Sequence, residues 1–179
     1  MINNNNLLLN EWNLWLHSPN DSDWSISSFK NMYTIKTIYD LIKLQEGMPK
    51  EIYENYMIFI MKNNIKPIWE DLENKEGGCF SYKILNSNIY EYSKKIIYYI
   101  LGNTISDNEL ILNNINGISI SPKKHFCIFK IWIKNISVFN SEFNIDIISD
   151  IEMNDIFNIY SKLNVDVNKI IYKSHKLLY

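Results

Sequence analysis

Residues 56–61, Tyr-Met-Ile-Phe-Ile-Met, constrain this chain more than any other stretch. A short apolar run without polar alternation suits a strand covered on both faces, the kind found in the middle of a sheet. The fold must therefore supply packing material on both sides of it. The run leads into Lys66-Pro67-Ile68-Trp69-Glu70-Asp71 and, after a short charged link, Gly77-Gly78. Proline fixes φ and has no N–H to give, so the ladder ends there, and the chain delivers an indole and two carboxylates into a loop closed by a glycine pair. An indole offers a π face and a carboxylate offers two acceptors, which together suit a flat, cationic ligand carrying N–H groups, such as an alkylated purine. Taken alone, Trp69 serves equally well as a core residue closing the turn.

Around this stretch, strands and helices follow one another at irregular intervals. Residues 11–17 alternate as a strand, with Trp12, Leu14 and Leu16 on one face and Trp15 on the other. Residues 18–23 are rich in turn formers and present Trp24, the second candidate stacking residue. A strand over 28–33 is followed by Thr34 as the cap of a helix to about residue 44, with Ile35, Ile38, Leu41 and Ile42 inward and Lys36, Tyr39 and Lys43 outward. Gly47-Met48-Pro49 breaks that helix. Residues 79–85 form a strand with Phe80, Tyr82 and Ile84 on one side.

Residues 88–101 are the clearest helix. Ile89, Tyr92, Ile96, Ile97, Ile100 and Leu101 make its apolar stripe, Gly102 stands at its C-terminal cap, and Lys94, Lys95 and Tyr98 gather on another side. After a shorter helix over 107–112, strands 117–121 and 126–134 form a hairpin with Lys123 and Lys124 at its tip and Lys130 further along. A third helix over 149–163 and a final strand over 168–172 complete the pattern. Residues 1–7, with the asparagine run from Asn3 to Asn6, are expected to be disordered, and residues 8–179 to form a single domain.

Composition narrows the function. A length of 179 residues suits one compact domain, and a net charge of −2 lacks the global basic field of a protein that grips long nucleic acid. Any nucleic-acid ligand should then be a small local feature. Cys79 and Cys127 make no disulfide framework, and His17, His125 and His175 are scattered, so no metal site and no cofactor are expected. There is no phosphate-binding glycine loop. Glu70 and Asp71, adjacent in an extended loop, tend to point apart, so the chain does not read as an enzyme. Nothing is long and apolar enough to span a bilayer, and a cytoplasmic location is the expectation. Helices segregated on one face of a curved antiparallel sheet, an α+β domain, satisfy the pattern.

One family shows these landmarks in this order. Trp12-Asn13-Leu14-Trp15, Trp24 after its acidic and serine-bearing loop, Ile65 through Asp71, Gly77-Gly78, Ile100-Leu101-Gly102, Ile131-Trp132 and Tyr172-Lys173-Ser174-His175 together resemble the eukaryotic cap-binding translation initiation factor 4E family. The resemblance implies a cupped eight-stranded antiparallel sheet backed by three helices on its convex face. It implies that the chain binds the 7-methylguanosine cap of messenger RNA at the concave mouth and passes it to a scaffold initiation factor of the 4G type or a divergent equivalent. Trp24 and Trp69 would stack on the base, Glu70 would accept its N–H groups, and Lys123, Lys124 and Lys130 would serve the phosphates. Ile128 falls where the family carries a phosphate-binding lysine, and Lys130 replaces it if the hairpin register slips. Cys79-Phe80 stands for an Arg-Trp pair.

On the convex face the partner site maps to Tyr39, Lys94, Lys95 and Tyr98, with a tyrosine for the family tryptophan and a lysine for its acidic residue. A retained pocket with a rewritten back suggests a divergent member, such as one encoded by a parasite or virus and acting in the host cytoplasm. Promotion of translation, sequestration of caps in competition with the host, and an interaction role without cap binding all remain open at this point.

Overall fold

The computed structural model describes residues 6–135, 137 and 171–175. Seven strands, β1 (Leu7–His17), β2 (Lys30–Thr37), β3 (Met57–Lys62), β4 (Gly78–Leu85), β5 (Ile115–Pro122), β6 (Phe126–Ile133) and β7 (Ile171–Ser174), form one curved, open sheet in the order β2-β1-β3-β5-β6-β4-β7. Every pairing is antiparallel. Among the described residues four α-helices accompany them: α1 (Ile38–Gly47), α2 (Lys50–Asn55), α3 (Ile89–Leu101) and α4 (Glu109–Asn114). The expected α+β architecture is present; the helix expected over 149–163 lies outside the described residues.

β3 has the two covered faces that its sequence requires. Ile58 and Ile60 enter the main core, shared with Trp12, Phe80, Ile118, Phe129 and the inward stripes of the helices. Phe59 and Met61 point the other way, into a smaller cluster with Phe29, Ile65, Cys79 and Trp132. The helices thus cover one face, and the opposite face keeps a thinner apolar floor. Period-two alternation sends Trp12 and Leu14 of β1 into the main core and Trp15 toward the smaller cluster, as the sequence indicates.

The first helix differs from its sequence reading. β2 runs through Thr37 because it pairs with β1, and Thr34 Oγ1 donates to Asn13 Oδ1 at 2.9 Å instead of capping a helix. Thr37 and Asp40 form the capping box, so the helix starts three residues later than expected. Ile35 is buried as a strand residue, while Ile38 and Ile42 are 45% and 40% exposed and fall outside the buried stripe expected of them. The inward residues of α1 are Leu41, Leu44 and Gln45. α2, absent from the sequence reading, follows Pro49 directly, where proline is favourable at a helix start.

Elsewhere the differences are smaller. β1 begins at Leu7, four residues before its expected start, β7 covers Ile171–Ser174 while residues 168–170 of the expected strand lie outside the described residues, and α4 is shifted two residues to follow its cap, Asn108. α3 buries all six apolar residues of its stripe. Its exit uses Asn103 at φ 59°, so the left-handed residue is an asparagine and Gly102 stays right-handed.

Candidate functional site

The face of the sheet opposite the helices holds a cavity of about 380 Å3, lined by Trp24, Phe29, Met57, Phe59, Pro67, Ile68, Trp69, Glu70, Ser119, Ser121, Lys130 and Trp132. Its floor is fixed. Trp132 is buried, packs edge-on against Phe59 with ring centroids 6.2 Å apart, and donates its indole N–H to Ser119 Oγ at 3.0 Å. Its two outer tryptophans are not core residues: Trp24 is 53% and Trp69 43% exposed.

Each of these indoles leans on a histidine. Trp24 stacks on His17 with centroids 4.5 Å apart and planes 15° from parallel. Trp69 stacks on His175 at 5.8 Å and 13°. The histidines scattered in sequence therefore back the two rims of one cavity. His17 is buried at the end of β1, and its Nε2 lies 2.8 Å from the Asp23 carbonyl, which ties it to the loop carrying Trp24. His175 Nδ1 lies 2.8 Å from the Asn74 carbonyl and Nε2 lies 3.1 Å from Cys79 Sγ. A proton on Nδ1 satisfies Asn74 and leaves Nε2 to accept from the thiol. Burial lowers the His175 pKa below its ordinary value and pushes the Cys79 thiol up to about 12, so both stay neutral near pH 7.

The loop carrying Trp69 and Glu70 is held by residues that the sequence reading passed over. Asp71 turns away from Glu70: its carboxylate accepts the backbone N–H of Lys66 and of Glu73, each at 3.0 Å. Asn74 is fully buried and donates to the carbonyls of Lys66 and Ile68, both at 2.9 Å, while its oxygen accepts from Asn116 at 3.0 Å. Asn116 also donates to the Glu73 carbonyl at 2.6 Å, and Lys134 pairs with Glu73 at 2.6 Å. The only signal for this in sequence is the turn-forming character of Asp71 and Asn74. Glu70 is left exposed on the cavity wall, with no hydrogen bond to another described residue and its acceptors open to a ligand.

Lys130 enters the cavity without any slip of register. The β5–β6 pairing is regular from Ile118↔Ile131 through Ser119↔Lys130 to Pro122↔Cys127, and the irregularity lies at the far end, between Ile115 and Gly117. Lys123 and Lys124 are exposed at the hairpin tip, where their carbonyls receive Asn86 Nδ2, and neither lines the cavity. Among the described residues no three His, Cys, Asp or Glu side chains gather as a metal-holding group, and no helix is long and apolar enough to cross a membrane.

The family model for "Eukaryotic initiation factor 4E" matches residues 7–178, nearly the whole chain. The chain belongs to the eukaryotic initiation factor 4E family. It is 33% identical over 135 residues to the "Eukaryotic translation initiation factor 4E homolog" of Acanthamoeba polyphaga mimivirus, a match covering 64% of this chain and 50% of that protein. To the "Eukaryotic translation initiation factor 4E" of Eremothecium gossypii it is 25% identical over 138 residues, covering 72% of this chain and 63% of the relative. The chain thus spans half to under two thirds of these relatives' length. Among solved structures, C. elegans eIF4E-3 in complex with the 4E-binding protein Mextli and a cap analog aligns with a TM-score of 0.76 at 17% identity, covering 95% of this chain and 92% of that one. At that identity the likeness speaks for the fold.

Seen as a factor 4E fold, the helical face is the convex one. Tyr39 is 68% exposed on α1, with Lys43 Nζ 6.0 Å above its ring, and Ile38 and Ile42 beside it are exposed as well. On α3, Lys95 and Tyr98 are exposed on one face with Glu91. Lys94 departs from them: it is half-buried and lies 5.1 Å over the ring of Tyr90, which packs edge-on against Tyr53 of α2.

Proposed function

We propose that this chain binds the 7-methylguanosine 5′ cap of messenger RNA and brings it into translation initiation through a scaffold partner docked on the convex face. The observation that carries the reading is the convergence of Trp24, Trp69, Glu70 and Lys130 on one cavity. N7 methylation gives guanine a positive charge, so a base slotted between Trp24 and Trp69 gains cation–π attraction from both rings. Glu70 accepts from N1–H and the exocyclic amine and is further favoured by the charge on the base. Trp132 and Phe59 form an apolar floor, and Lys130 stands ready for phosphate. The family membership and a fold shared with a protein solved with a cap analog support the same reading. Tryptophan fluorescence tests it: 7-methylguanosine triphosphate should quench the emission saturably and guanosine triphosphate should not, whereas equal responses would remove the cap assignment.

The partner surface is proposed to be Tyr39, Lys95 and Tyr98, with Lys94 at its margin and the exposed Ile38 and Ile42 extending it. A lysine at position 95 repels basic side chains that an acidic residue there would attract. Peptides of the Tyr-x-x-x-x-Leu-Φ type from cellular scaffolds should therefore bind at least tenfold more weakly than to a family member with an acidic residue at this site. Lys95→Glu should recover affinity in calorimetric titration. Tight binding by the wild type, or no gain on charge reversal, would show that the lysine does not set partner choice.

A further inference from the structure

Lys173 has no role in the sequence reading and does not itself line the cavity, yet the structure sets it against Trp69, which does. Its Nζ lies 5.4 Å from the Trp69 ring centroid. β4 runs between β6 and β7, and on the cavity face Cys79 pairs with Trp132 on one side and Lys173 on the other, while Ser81 pairs with Lys130 and Ile171. Paired residues point to the same face, so Lys130 and Lys173 both project there, from strands that flank β4 and lie about 10 Å apart. Among the described residues, β4 sets buried Cys79 and the small Ser81 between them, with the His175 ring lying against Cys79 at 3.1 Å and tilted onto Trp132. Both lysines act electrostatically on Cys79 and on His175, which places them around a common centre. Neither has an ion pair with a carboxylate among the described residues.

The route toward the hairpin tip is different. Moving from Lys130 along β6, the next side chains on that face are Ile128 and Phe126, and the Phe126 ring is already covered by Lys83 at 4.9 Å. Lys123 and Lys124 lie beyond this apolar stretch.

We propose that the phosphate chain following the cap base crosses β4, held between Lys130 and Lys173, and does not run along β6 to Lys123 and Lys124. This rests on the cap-binding reading above and specifies how the same site takes the anionic half of its ligand. Lys173 then has two places to be: over the indole of Trp69 when the site is empty, and on the phosphate when the cationic base takes that indole. Two like charges compete poorly for one ring, and a phosphate offers the displaced ammonium a stronger partner.

The test compares three variants that keep an unbranched apolar stem, Lys130→Met, Lys173→Met and Lys123→Met, each titrated with 7-methylguanosine, its monophosphate and its triphosphate. Lys130→Met and Lys173→Met should each lower triphosphate affinity about five- to tenfold and nucleoside affinity less than twofold, with the gap narrowing as salt is added. Thermal unfolding of the variants should stay close to the wild type, since Lys123 and Lys173 are exposed and the half-buried Lys130 keeps its apolar stem as methionine. The proposal is overturned if Lys173→Met binds triphosphate as the wild type does, or if Lys123→Met carries the larger loss. Failure of the wild type to bind even the methylated nucleoside would overturn the cap reading itself, a result distinguishable from a misplaced phosphate path.

Discussion

Trp69→Ala should lower affinity for a methylated cap by at least tenfold while leaving the unfolding transition cooperative and close to that of the wild type. Stacking of one base on one aromatic ring is worth about 1–3 kcal/mol, and a cationic base adds to that. Trp69 is 43% exposed, so truncation removes little from the core, although it uncovers His175. Glu70→Ala should cost a comparable amount by a separate route, through lost acceptors and a lost negative charge beside the base. The two variants should also differ in selectivity. Removing the indole weakens methylated and unmethylated guanine unequally, because the charge-dependent part of the attraction disappears with it. Titration of both variants with methylated and unmethylated nucleotide decides the matter. If Trp69→Ala unfolds the protein, the indole is structural; if it binds as the wild type does, the base is held elsewhere.

The parts legible in the sequence are those in which one local rule governs the outcome. The stripe of α3 is a single-period pattern over all 13 residues of the helix, and all six of its apolar residues are buried. The unbroken apolar run of β3 required two covered faces and has them. Pro67 and Gly77-Gly78 bracket a loop whose tryptophan and glutamate line a cavity with Trp24. α1 starts later than its sequence predicts because two helix starts compete within four residues, and the choice depends on the pairing of β2 with β1 and on the Thr37–Asp40 capping box. Thr34 and Thr37 are chemically alike; only tertiary contacts separate them.

The site was half legible for a related reason. Residues proposed to touch the ligand announce themselves by being unusual in a loop, as Trp24, Trp69 and Glu70 do. Residues that hold those in place look ordinary: Asn74 and Asn116 are asparagines in a chain full of them, and His17 and His175 gain meaning only when they lie under the two indoles. Lys173 is in the same position, since its relevance comes from β7 joining the sheet beside β4, a contact nearly a hundred residues away along the chain.

Asn74→Ala tests whether that ordinary-looking support matters, and its expected effect on stability exceeds that of any rim substitution. The side chain is fully buried and joins three partners, the carbonyls of Lys66 and Ile68 and the amide of Asn116. Alanine leaves all three without it, the Asn116 amide in the buried interior and the two carbonyls partly buried, and an unsatisfied buried group costs about 1–3 kcal/mol. Asn116 keeps its bond to the Glu73 carbonyl, so the loss should be partly offset; a net destabilisation of about 2–4 kcal/mol is expected. Cap affinity should fall at least tenfold in the same variant, although Asn74 does not line the cavity, because Trp69 and Glu70 are carried by the backbone that it clamps. Asn74→Asp sharpens the result. It nearly preserves volume and keeps an acceptor for Asn116 but sets a carboxylate against two carbonyl oxygens, and should be at least as damaging as alanine. Denaturant unfolding measured beside cap titration reads both quantities. Wild-type stability and wild-type affinity in Asn74→Ala would show that the loop is held without this clamp, by Asp71 and the Lys134–Glu73 pair.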